Sequence, residues 1–163
     1  MPIRGGWFIK DRVFIAQLTG HVTEEEYIGA SNNPHVIELM EASDADYLHF
    51  IFESVGDDFK PPKVKAGHKS IIDAHPKNGW AILVNLTKNP IVRMVATMMA
   101  QMGVSKKHYF TDSTDKALAY LRKIDPTLPE TPDAEVEWMH FFGCEPDDVA
   151  LWGDTERKPE MAL

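Results

Sequence analysis

Glu53, Asp57 and Asp58 place three carboxylates within six residues, directly after an apolar run. Such a cluster at the C-terminal end of a buried strand stands where open α/β sheets bind ligands. Oxygen ligands of this kind suit a hard cation, but no calcium-loop spacing accompanies them. Lys60, Lys63 and Lys65 follow at once and can neutralise the acids. The cluster is a candidate ligand contact, and its plainer expectation is a solvated acidic loop. His68 belongs to the next segment, seven residues before His75. Two helical turns hold these imidazoles ~10 Å apart, too far to share one ion. No metal site is expected from them.

Nucleophilic chemistry has thin support. Cys144 is the only cysteine, and Glu145, Asp147 and Asp148 beside it disfavour a thiolate. The chain has no Gly-x-Ser-x-Gly elbow, phosphate loop or dinucleotide fingerprint. No cofactor is expected. Met94, Met98, Met99 and Met102 instead mark a methionine-rich helix with Ile91 and Val95. Packing against a sheet explains part of that stripe. Adjacent Met98 and Met99 cannot share a direction, so the apolar surface is wide, as adaptable partner or ligand contacts require.

These residues need a scaffold, and 163 residues is one domain's length. A composition of 44% hydrophobic and 26% charged residues is that of a globular chain. The net charge of −8 has a definite address. Residues 128–163 hold ten acidic and two basic side chains, so the preceding 127 residues are balanced. A balanced body lacks the cationic field that drives binding to nucleic acid or to an anionic membrane. No apolar run reaches the ~20 residues of a membrane helix, and the N-terminal residues lack a signal-peptide pattern. A cytoplasmic protein is expected.

The elements follow from periodicity and punctuation. Trp7–Ile9 and Arg12–Leu18 form a hairpin around Lys10-Asp11, an unusual turn pair. Thr23 and Glu26 make a capping box that opens a helical stretch to about Ser43, interrupted at Asn32-Asn33-Pro34. Tyr47–Phe52 and Trp80–Val84 are apolar throughout, as strands covered on both faces are. Ser54–Pro62 carries Gly56, two aspartates and two prolines, a loop signature. Lys63–His75 forms a helix ended by Pro76. Asn89-Pro90 opens a second helix that Gly103 stops. His108–Thr111 is a short strand, and Asp112–Asp115 caps a final helix that closes at Asp125-Pro126. The order β-β-α-β-α-β-α-β-α implies a mixed, mainly parallel sheet of about five strands with about four helices.

This order and several stretches resemble the STAS family, the fold of anti-sigma factor antagonists. The likeness is carried by Val13-Phe-Ile-Ala-Gln-Leu-Thr-Gly20, by Trp80-Ala-Ile-Leu-Val-Asn85, and by Asn89-Pro90 with its helix. His108-Tyr-Phe-Thr-Asp112 and the helix through Leu121 extend it to about 120 residues. Regulatory members carry a phosphorylated Asp-Ser-Ser-Gly-like motif after the central strand. Here that place runs from Ser54 to Lys65 without it, and Ser70 lies too far into the helix. The resemblance therefore implies the scaffold without its usual phosphoswitch.

The expectation is a non-enzymatic STAS-like binding or regulatory module over residues 1–126, acting through a protein partner or as a homodimer. The alternative is an apolar-ligand protein or enzyme using the sheet edge near Glu53, Asp57 and Asp58. Residues 127–163 form a linker and an acidic arm rich in aromatics, including Trp138, Phe141, Phe142 and Trp152. Aromatic payload of that size predicts that 133–152 docks on the body or on a second copy.

Overall fold

The computed structural model describes residues 3–60, 71–85, 90, 107–130 and 139–140. In chain order these form β1 (Ile3–Ile9), β2 (Val13–His21), α1 (Glu24–Ser31), α2 (Pro34–Ala42) and β3 (Leu48–Lys60). They continue with α3 (Ile71–Ala74), β4 (Asn78–Asn85), β5 (His108–Thr111), α4 (Thr114–Ile124) and β6 (Met139–His140). The strands make one mixed sheet in the order β5-β4-β3-β2-β1-β6. Neighbours β2 to β5 are parallel, and β1 is antiparallel to both β2 and β6. Among the described residues the sheet has six strands where about five were expected, and the extra strand, β6, comes from the tail.

Local chemistry explains most boundaries. Asp11 takes a positive φ of 58°, a conformation aspartate tolerates, and the amide of Arg12 closes the turn onto the carbonyl of Ile9 at 3.0 Å. Thr23 caps α1, its hydroxyl accepting from the amide of Glu26 while the Glu26 carboxylate accepts from the amide of Thr23. Asn33 caps α2 and Pro34 supplies its first residue, so the interruption divides two helices. Lys77 donates to the carbonyls of Glu41 and Ser43, capping the other end of α2. Ser113 caps α4 through the amide of Lys116.

The stretch from Ser54 to Lys60 departs from expectation. Its residues belong to β3, with Ser54 opposite Leu18 and Val55 opposite Thr19. The ladder then slips, and Lys60 pairs with His21 while four residues of β3 face one of β2. Gly56, with φ of 90°, permits the detour that a side chain would strain. Burial of Phe59 in the core brings the strand back to the sheet. The turn chemistry was real, and the apolar anchor after it decided the outcome. Only Ile71–Ala74 of the expected helix over Lys63–His75, with a turn at His75, falls among the described residues.

The two faces of the sheet are covered by different means. Right-handed crossovers between successive parallel neighbours place their connections on one face. There α2 and α3 pack Val36, Met40 and Ile72 against Phe14, Ala16, Phe50 and Phe59, and α1 adds the partly buried Tyr27 and Ala30. The opposite face buries Val13, Ile15, Ile51, Ile82 and Val84 beneath Ala117, Leu118 and Leu121 of α4. An isolated helix of eleven residues is marginal in water. Two buried leucines contribute roughly 1.5–3 kcal/mol each, so packing is what makes α4 a helix.

Close approach between β3 and β4 depends on Gly79. A Cβ there would lie 2.6 Å from Nδ1 of His49 and 2.7 Å from the carbonyl oxygen of Leu48. Gly79→Ala is expected to lower unfolding free energy by about 1–3 kcal/mol, the usual cost of overpacking a tight interior. Urea denaturation checks this, and an unchanged midpoint would contradict it.

Candidate functional site

Among the described residues, polar side chains buried inside the α4-covered face are exceptional, and they occur at two places. Residues alternate between faces along a strand, so Gln17 and Glu53 share the face of Ile15 and Ile51. Arg4, Gln17, Glu53, Val84 and Thr111 are successive cross-strand neighbours from β1 to β5. Next to them runs the apolar row Gly6, Ile15, Ile51, Ile82 and Tyr109. Beyond it lie Ile9, Val13 and His49. The apolar row thus separates two polar ends.

At the C-terminal end of the parallel strands, Glu53 has no solvent exposure. Its Oε2 accepts from Nε2 of Gln17 at 2.7 Å, and its Oε1 accepts from the hydroxyl of Thr114. Gln17 cannot turn its amide around, because its Oε1 accepts from Nε and Nη2 of Arg4 at 2.9 and 2.7 Å. Thr114 is the first residue of α4, where helix amides and their dipole favour a carboxylate. The expected solvated loop acid is therefore, at position 53, a buried bracket between the sheet and α4.

The other acids do not join it. Asp58 is exposed on the detour of β3, with its carboxylate beside Gly56 and within 3.7 Å of where a Cβ of Gly20 would lie. Asp57 shares that detour in backbone position. His68, Met94, Met98, Met99 and Cys144 lie outside the described residues. His75 accepts from the amide of Lys77 through Nδ1 and closes a turn after α3. Among the described residues, no group of three or more histidines, cysteines or acids could hold a metal ion.

At the opposite end, His49 is 4% exposed within β3. Its Nδ1 accepts from the amide of Trp80 at 3.0 Å, which leaves the proton on Nε2. That nitrogen faces Oδ2 of Asp125 at 3.2 Å. Asp125 follows α4 directly and also binds Nη2 of Arg12 at 2.7 Å and both the amide and hydroxyl of Thr127. Burial opposes charge on Asp125, and the bonds from Thr127, Arg12 and His49 outweigh it, holding the carboxyl down to about 2. Burial likewise opposes charge on His49 and lowers its pKa, although Asp125 pulls the other way. A histidine beside an aspartate resembles an acid–base pair. Here both ring nitrogens are committed to the fold, and the arrangement fastens the end of α4.

Neither node was singled out from the sequence beyond Glu53. The available signal was a polar residue inside an apolar strand: Gln17 in β2, and His49 and Glu53 in β3. Their partners Arg4, Thr114 and Asp125 lie 13 to 76 residues away along the chain, with no local mark of the pairing.

An aromatic stack borders this face. Tyr109 and Tyr120 lie parallel with centroids 3.8 Å apart, and Trp80 meets Tyr120 edge-on at 5.4 Å. Lys107 stands over the exposed ring of Tyr47 at 4.8 Å.

No protein-family profile, curated protein or solved structure matches this chain. Among the described residues, no helix is long and apolar enough to cross a membrane.

The depressed Asp125 carboxyl stabilises the folded state fully above the ordinary aspartate value of 3.8, and that contribution is lost as pH falls through about 2. Asp125→Asn is expected to lower stability at pH 7 and to flatten the loss between pH 4 and 2. Urea midpoints over that range check the sign. A mutant retaining the full acid-dependent loss would contradict this assignment.

Proposed function

We propose that this chain is a STAS-like, non-enzymatic binding or regulatory module that works through protein contacts. The observation that carries this reading is the closure of Glu53 by Gln17 and Thr114 of the chain itself. The best-placed carboxylate of the sequence is thereby given a scaffolding task. Support also comes from β2 to β5, which are parallel and sequential neighbours, with α1 to α3 packed on one side. That arrangement fits the element order on which the family resemblance rests.

In this reading the usual phosphoswitch is missing. Ser54 sits in the ladder opposite Leu18 and Asn85, within β3 instead of at the start of a helix. The partner is a protein or a second copy, and the methionine-rich stretch of sequence around Met94, Met98 and Met99 is proposed to meet it. Nucleic acid and membrane are not proposed partners.

Native mass spectrometry of the full chain distinguishes this reading from the small-molecule alternative. The expected spectrum shows polypeptide mass alone, in homo-oligomers or with a co-purified protein. A small molecule retained at one equivalent per chain would overturn the reading.

A further inference from the structure

We propose that His49 is an acid-sensitive latch on the C-terminal end of α4, released when its ring takes up a second proton. This conformational device is independent of the partner reading above.

The geometry supplies the reason. Nδ1 is the ring's acceptor for the amide of Trp80, and Nε2 carries the proton towards Asp125. A proton added at Nδ1 would set an N–H against an N–H. The ring sits close over Gly79, where a Cβ would come within 2.6 Å of Nδ1 and 3.0 Å of the neighbouring ring carbon, and Nδ1 is held by the Trp80 amide. Relief therefore requires the ring to leave its slot. The accessible direction is towards Asp125, whose side chain retains 20% exposure against 5% for His49.

The charges around the ring reinforce this outcome. Arg12 from the β1–β2 turn and Lys107 before β5 both oppose an imidazolium, and Asp125 favours one. Asp125 is already engaged by Arg12 and Thr127, so its charge is shared.

What the latch holds is also defined. The amide of Asp125 bonds the carbonyl of Leu121 at 2.7 Å, ending α4. The amide of Leu128 bonds the carbonyl of Asp125 at 3.2 Å, and the Leu128 side chain is buried in the α4-covered core. Expulsion of His49 removes a donor from this corner and frees the amide of Trp80. The last turn of α4 and residues 125–128 then open together.

The sign follows from linkage. A ring that resists protonation when folded gives its full stabilisation above the ordinary histidine value of 6.5. That stabilisation declines as pH falls below it. Opening that requires one proton grows about tenfold per pH unit within that window.

Amide hydrogen exchange followed by NMR on the full chain tests the proposal, with rates corrected for the intrinsic pH dependence of exchange. The opening of Trp80 and of the last turn of α4 should increase about tenfold per pH unit below 6.5. The central amide of Ile51 should remain far better protected than these amides throughout. His49→Gln, which cannot titrate, should abolish the pH dependence. The nitrogen shifts of the His49 ring in the unaltered protein provide a test that does not need the variant to fold. They should show the Nε2-protonated neutral form while Trp80 is protected. Opening of Trp80 that is flat from pH 7.5 to 5.0, or an imidazolium with Trp80 still protected, overturns the latch.

Discussion

Glu53 is a carboxylate with no solvent access, placed beneath a helix that the rest of one sheet face depends on. Burying such a group costs several kcal/mol unless donors replace the lost water. Replacement donors come from two directions of the fold. Gln17 reaches it from β2, with its amide orientation fixed by Arg4 of β1, and Thr114 reaches it from α4. Losing one partner of a buried charge costs about 3–5 kcal/mol, comparable to what Leu118 and Leu121 contribute by burial. A misplaced α4 would thus forfeit both terms at once. The carboxylate adds specificity to a contact whose strength is apolar.

Topology explains why this contact matters. The crossovers linking β2, β3 and β4 place α1 to α3 on one side, leaving the other side to a helix that arrives after the last parallel strand. Glu53 and His49 lie four residues apart on β3, ~13 Å along an extended chain. Thr114 and Asp125 lie eleven residues apart along α4, ~16 Å at helical rise. The two spans match closely enough for each end of the helix to meet its own polar anchor. Between the anchors, Ala117, Leu118 and Leu121 rest on the apolar row of Ile15, Ile51 and Ile82. The helix runs antiparallel to β3, and its two ends are fixed by different chemistry.

Local signals were legible in the sequence. The Thr23–Glu26 box, Asn33 before Pro34 and Ser113 each mark a helix start where one occurs. The apolar runs mark β3 and β4, although β3 continues past the glycine and aspartates because Phe59 is buried. The mixed, mainly parallel sheet follows from alternation of these elements. The polar anchors were not legible. His49 and Asp125 are 76 residues apart, and Arg12 and Asp125 are 113 apart. Their pairing exists only after the sheet has formed and α4 has crossed it. Glu53 was visible as a candidate, but its neighbours Asp57 and Asp58 gave it the wrong environment. Phase along the strand was the better guide, since Glu53 alternates in step with Ile51 and Asp58 does not.

The most direct test of this account is the unfolding free energy of Glu53→Gln at pH 7. Glutamine keeps the shape but offers one acceptor where the carboxylate offers two. Gln17 cannot reverse its own amide without abandoning Arg4, so the new amide nitrogen must turn to Thr114, whose hydroxyl would then accept instead of donating to a charge. A loss of about 1–3 kcal/mol is expected, the difference that replacing hydrogen bonds to a charged group by neutral ones makes. Increased exchange of the first α4 amides is also expected. Stability within about 0.5 kcal/mol of the unaltered protein, the range of ordinary surface changes, would show that Glu53 is not the buried bracket described.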